Sequence, residues 1–167
     1  MKDAINILPE FLIFSRTLVP LVLVKTTILS LKSSSHTSWA ITQTDMFRAA
    51  VGLFGIADWM SFHGVTNIPD WDSIHYAQSP YMRDLFEKFS PINYVEKVKT
   101  PVLLQHGVDD PCVPVGQYHQ FYRALKDLGK TVRLLLFPRE GHGFLEKKHI
   151  LMQFNETLNW YEKFRKT

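Results

Sequence analysis

The stretch TPVLLQHGVDDPCVP, residues 100–114, decides the fold. Thr100-Pro101 introduces VLLQHG (102–107), a short run of apolar residues closed by glycine, which reads as a strand buried on both faces of a parallel sheet. Two carboxylates, Asp109 and Asp110, follow at once in a proline-containing loop.

Downstream, Val115 to Leu128 carry apolar or aromatic side chains at 115, 118, 121, 122, 125 and 128. That is one face of an amphipathic helix, and Gly129 stands where a C-terminal cap belongs. TVRLLLFP (131–138) predicts another strand, continuous enough in apolar residues to be covered on both faces. PREGHGF (138–144) is the loop after it, and Lys148 to Phe164 predict a closing helix with its stripe at Ile150, Leu151, Phe154, Leu158 and Tyr161. Upstream, AAVGLFG (49–55) predicts a buried strand, and Ile56 to Ser90 an aromatic-rich excursion with helix around Tyr81–Phe89. Strands alternating with helices predict an α/β fold with a mostly parallel sheet.

In such sheets chemistry gathers where the strands end. Asp110 lies in one such loop and His142, between Gly141 and Gly143, in the next, 32 residues on. A carboxylate on an imidazole's Nδ1 fixes the tautomer and leaves Nε2 as a general base. Each motif alone also reads as a plain turn, since Asp-Asp-Pro caps its own backbone and Gly-His-Gly needs no ligand. Their order, each after a buried strand, favours the acid–base pair.

Composition bounds the alternatives. The chain has 167 residues, with 46% hydrophobic and 21% charged, as in one globular domain. A net charge of +3 in scattered clusters does not form the basic stripe of a nucleic-acid binder. Cys112 is the only cysteine, so no internal disulfide forms, and it is expected to be an inert loop thiol. The histidines show no metal-ligand spacing and no phosphate loop is present; no metal and no cofactor are expected. His106 is expected to be structural, Asp58-Trp59 to border the pocket, with packing the expected role of Trp59.

The first 51 residues contain none of the eight glycines, which suggests that they follow other rules. Residues 11–31 are apolar but interrupted by Arg16, Pro20 and Lys25. The longest uncharged run there falls short of the roughly 20 residues that span a bilayer, and no signal peptide is evident. No membrane association and a cytoplasmic location are expected.

The motifs carry a resemblance. SPINYVEKVKTPVLLQHGVDDPCVP (90–114) resembles the catalytic-acid region of the prolyl oligopeptidase family of serine peptidases. FYRALKDLGKTVRLLLFPREGHGF (121–144) resembles its histidine region, NWYEKF (159–164) its last helix, and TSWAITQTDMFRAAVG (37–52) the segment after its nucleophile. The resemblance implies the C-terminal part of an α/β-hydrolase fold over residues 37–167, incomplete at its N-terminus, and a non-family segment over 1–36. By resemblance Asp110 is the catalytic acid, Asp109 its non-catalytic neighbour and His142 the base. It also implies peptide or small acyl substrates cleaved through an acyl-enzyme.

The nucleophile departs from the family pattern. Gly-x-Ser-x-Gly-Gly makes a sharp strand-to-helix turn that projects the serine. The family spacing places the serine at Leu31 and the glycines at Leu29, Ser33 and Ser34. Ser30, Ser33, Ser34 and Ser35 offer hydroxyls, but none in a glycine-framed turn, and SLKSSSHTS (30–38) reads as polar loop. Losing one oxyanion donor alone removes on the order of 2.7–4 kcal/mol of transition-state stabilisation. Activity is therefore expected to be impaired, with a non-catalytic interaction module or an esterase fragment as the alternatives. An open sheet edge predicts self-association.

Overall fold

The computed structural model describes residues 28–30 and 34–165. Four strands, β1 (Ile28–Ser30), β2 (Ala49–Leu53), β3 (Val102–Gly107) and β4 (Val132–Phe137), form one sheet in the order β1-β2-β3-β4. Every pairing is parallel, with Ala50 opposite Val102 and Val102 opposite Val132. Helix α1 (Ser34–Gln43) links β1 to β2. The excursion after β2 holds the short helices α2 (Trp59–His63), α3 (Pro69–Tyr76) and α4 (Asp84–Lys88), with 3-10 turns at Pro80–Met82 and Pro91–Lys97. Helix α5 (Gly116–Asp127) joins β3 to β4, and α6 (Lys147–Arg165) closes the described chain. No described helix is long and apolar enough to cross a membrane.

Side chains alternate across a strand, so each strand feeds two layers. Ala50, Val102 and Leu104 point to one face, where Ile41 of α1 and Tyr118, Phe121 and Leu125 of α5 close over them. Ala49, Val51 and Leu103 point to the other face and meet Trp160 of α6. A third apolar cluster, with Trp59, Phe62, Phe86 and Val113, holds the excursion against the loop after β3. Helix α5 ends as its glycine implied: Gly129 has a φ of 66°, and its N–H donates to the Lys126 carbonyl.

Three expectations are corrected. Ser34 to Ser38, read as loop, lie in α1. Serine and threonine are weak helix formers, and tertiary packing overrides them. Thr37 and Ser38 are buried, and Trp39 sets its ring edge-on to Phe89 and Tyr94. β4 is not covered on both faces, since Arg133 and Leu136 are exposed at the end of the described sheet. Of the stripe assigned to the last helix, Tyr161 packs against the core and the other four residues do not form its buried face. Phe154 is 62% exposed, with Ile150, Leu151 and Leu158 exposed beside it, while His149 and Trp160 are buried.

Candidate active site

The loop after β3 is built around one carboxylate. Asp110 Oδ1 accepts the backbone N–H groups of Cys112 and Val113, both at 2.9 Å. This is an Asx turn, the local preference that also made the bland reading of the motif reasonable. The other oxygen, Oδ2, accepts the Nδ1–H of His142 at 2.8 Å. The side chain of Asp110 is fully buried, while that of His142 is 46% exposed. The two residues singled out by sequence are thus brought together at the ends of adjacent parallel strands.

Main-chain contacts bring the two loops together. The N–H of Val108 donates to Phe137 O and that of Asp109 to Glu140 O, each at 2.9 Å. Gly107 is required here, because a Cβ would lie 2.3 Å from the carbonyl oxygens of both Glu140 and Gly141. Any other residue would push the histidine loop off the acid loop.

Glu140 anchors the histidine loop from its far side. Its buried carboxylate accepts from Leu145 N at 2.8 Å, Glu146 N at 2.9 Å and His149 Nδ1 at 2.7 Å. The loop is therefore tied to the first turn of α6. Glu140, Glu146 and His149 present ligand atoms within 4.8 Å of one another, but Glu140 already spends both oxygens on protein donors. The set reads as a structural clamp.

Opposing forces set the charges. Burial raises the pKa of Asp110, but hydrogen bonds from His106, His142 and the Val113 N–H, with the charge of His142, outweigh it. The carboxyl is held well below its ordinary range. Asp110 raises the pKa of His142 through their hydrogen bond, against partial burial. Burial likewise pushes the Glu140 carboxyl up, and its backbone and His149 donors bring it below the usual value.

Other singled-out residues take supporting places. His106 is buried, with Nε2 2.7 Å from Val113 O and 3.4 Å from Asp110 Oδ2. It therefore braces the acid loop from beneath. Asp58 caps α2, its carboxylate accepting from Met60 and Ser61 N–H, and lines a surface cleft with Arg83, Glu87 and Asn93. Trp59 is buried, its Nε1–H donating to Phe89 O at 3.1 Å. Cys112 is half-buried. Asp109 engages the site through its backbone. A second carboxylate–imidazole pair, Asp72 with His63 at 3.1 Å, ties α3 to α2.

Sequence reasoning did not single out Glu140, nor Phe54, whose ring lies 5.3 Å from that of His142. A glutamate in a glycine-flanked loop and an aromatic after a strand are ordinary sequence features, so no local signal marks them. Leu31 and Ser33 lie outside the described residues. Ser30 ends β1 and Ser34 opens α1.

Residues 35–167 match the family model described as the prolyl oligopeptidase family. The uncharacterized peptidase YuxL of Bacillus subtilis is 34% identical over 140 residues, covering 76% of this chain and 20% of that protein. The acylamino-acid-releasing enzyme of Arabidopsis thaliana is 35% identical over 131 residues, covering 73% of this chain and 17% of that protein. Among solved structures, the Pyrococcus horikoshii acylaminoacyl peptidase superposes with a TM-score of 0.82 at 28% identity. That match covers 99% of this chain and 28% of the other. The chain spans about a fifth of the length of the curated relatives it matches. The parallel sheet with its flanking helices is that of an α/β-hydrolase fold.

Proposed function

We propose, from the premise that this chain belongs to the prolyl oligopeptidase family, that it carries the acid–base half of a serine-type peptidase site. The observation that supports this is the 2.8 Å hydrogen bond from His142 Nδ1 to Asp110 Oδ2 at neighbouring strand ends. With Nδ1 engaged, Nε2 takes the proton of an attacking hydroxyl and returns it to the leaving amine, while buried Asp110 stabilises the imidazolium. The proposed substrates are peptides or small acyl compounds, in keeping with relatives named acylamino-acid-releasing enzymes.

The nucleophile separates this chain from an active peptidase. Leu31 stands at the serine position and Leu29, Ser33 and Ser34 at the glycine positions. Leucine has no lone pair with which to attack a carbonyl, and the strained turn requires glycine. The proposed chain is accordingly impaired in hydrolysis. The same substitutions favour, as a second reading, a hydrolase remnant kept as an interaction module.

A serine-reactive fluorophosphonate tests the first reading. The chain as it stands is expected to take up no label at any serine. The quadruple variant Leu29→Gly, Leu31→Ser, Ser33→Gly, Ser34→Gly rebuilds the family motif and is expected to label at residue 31. Adding His142→Ala should abolish that labelling. A folded rebuilt variant that stays unlabelled, or labels equally without His142, would count against the acid–base assignment.

A further inference from the structure

Phe54 follows the last residue of β2 and has a φ of 55°, the left-handed region. That conformation is strained for a bulky L-residue, and such strain concentrates at functional sites. The adjacent Gly55 would adopt it freely, yet the positive φ falls on Phe54. Gly55 serves a different need, since a Cβ there would lie 2.5 Å from Tyr118 Oη and 2.6 Å from its ring carbon Cε1.

The left-handed turn directs the Phe54 ring across the ends of the neighbouring strands. Its N–H donates to Gln105 O at 3.1 Å, which fixes the turn against β3. Its ring centroid lies 5.3 Å from that of His142, tilted by 50°, 5.7 Å from that of His106 and 4.9 Å from that of Phe144. Phe54 thus meets both imidazoles that touch Asp110.

Among the described residues, His142 has Asp110 as its side-chain hydrogen-bond partner and Phe54 as its ring neighbour. It sits between Gly141 and Gly143, which bridge to each other and fix the loop's backbone but offer the imidazole no side chain to pack against. One hydrogen bond to Asp110 fixes a distance but leaves the ring free to swing about the Nδ1···Oδ2 line. A packed aromatic surface removes that freedom, and tilted ring pairs at 4.5–7 Å are attractive.

We propose that Phe54 is a positioning residue, whose ring, carried on a strained backbone, holds the His142 imidazole against Asp110 and keeps water from their hydrogen bond. This rests on the reading of Asp110 and His142 as an acid–base pair. The titratable groups facing His142 are Asp110 and, behind the same carboxylate, His106. Arg139 and Glu140 on its own loop are engaged with Glu146 and His149.

Proton–nitrogen NMR of the full chain, with thermal melts, separates positioning from mere packing. Wild-type protein is expected to show a slowly exchanging His142 Nδ1–H and a titration midpoint above the ordinary imidazole value of 6.5. In Phe54→Ala and Phe54→Gly the midpoint moves back toward 6.5 and the Nδ1–H signal broadens into solvent exchange. Phe54→Gly should melt no lower than Phe54→Ala, because glycine relieves the left-handed strain. Phe54→Tyr should restore the wild-type spectrum. An unchanged His142 signal and midpoint in Phe54→Ala overturns the inference, as does unfolding of both the Ala and Gly variants, which would assign the ring to the core. A wild-type spectrum lacking both features overturns the acid–base pairing itself, and the inference with it.

Discussion

The two faces of the sheet are made by alternate residues of the same strands, yet they are finished to different degrees. On one face Tyr118, Phe121 and Leu125 of α5, with Ile41 of α1, bury Ala50, Val102 and Leu104 completely. On the other, Trp160 is the buried apolar residue of α6, and Phe154, Leu151 and Leu158 remain exposed. Both helices have apolar residues at helical spacing. Periodicity shows that a helix has an apolar side; it does not show what lies against that side. α6 is held at points along its length, by Glu140 with His149 at the first turn, by Glu156 with Arg133 of β4, and by Trp160 with Tyr161 and Phe164 against the sheet.

The comparison breaks most readily at Phe121. Phe121→Ala empties a fully buried site and is expected to lower stability by about 3–5 kcal/mol in urea unfolding. A loss no larger than that of a substitution in the α6 stripe would mean that the faces are equivalent.

The hydrogen-bonded pair Asp110 and His142 lies at the strand ends, and because both groups titrate its contribution follows pH. Asp110 has a lowered pKa in the folded chain, so its share is present above 3.8 and fades as pH falls through the folded value. His142 has a raised one, so its share is complete below 6.5 and fades as pH rises through the folded value. Thermal melts should therefore show the pair's contribution at its largest between pH 3.8 and 6.5. Asp110→Asn should flatten both limbs; a variant that keeps the wild-type pH profile would disconnect the pair from stability.

The smallest effect is expected on the open face. Phe154→Ser is predicted to change stability by no more than about 0.5 kcal/mol, as for a surface position. A clear loss in the same urea assay would show that the stripe is covered in solution.

Much of this was legible beforehand because it depends on near neighbours in the chain. VLLQHG became β3 with both bounds as read, and Val115–Leu128 became α5 within a residue at each end. Asp110 and His142 were legible as residues that a parallel sheet would place together. The helix over Ser34–Gln43 was not, because Trp39 and Ile41 pack against residues far along the chain. Glu140 was missed for the same reason: its partners lie in α6, and nothing in Gly-His-Gly announces a buried carboxylate beside it.

From the sequence by itself came the alternation of strands and helices, and Asp110 and His142 in the loops after two buried strands. Those follow from hydrophobic period, turn chemistry and residue identity, all of which act over a few positions. Only the tertiary structure decided which faces are covered, that Gly107 admits the histidine loop, and that the ring of Phe54 meets that of His142. These depend on how segments distant in sequence share space, and close packing leaves no local trace of that.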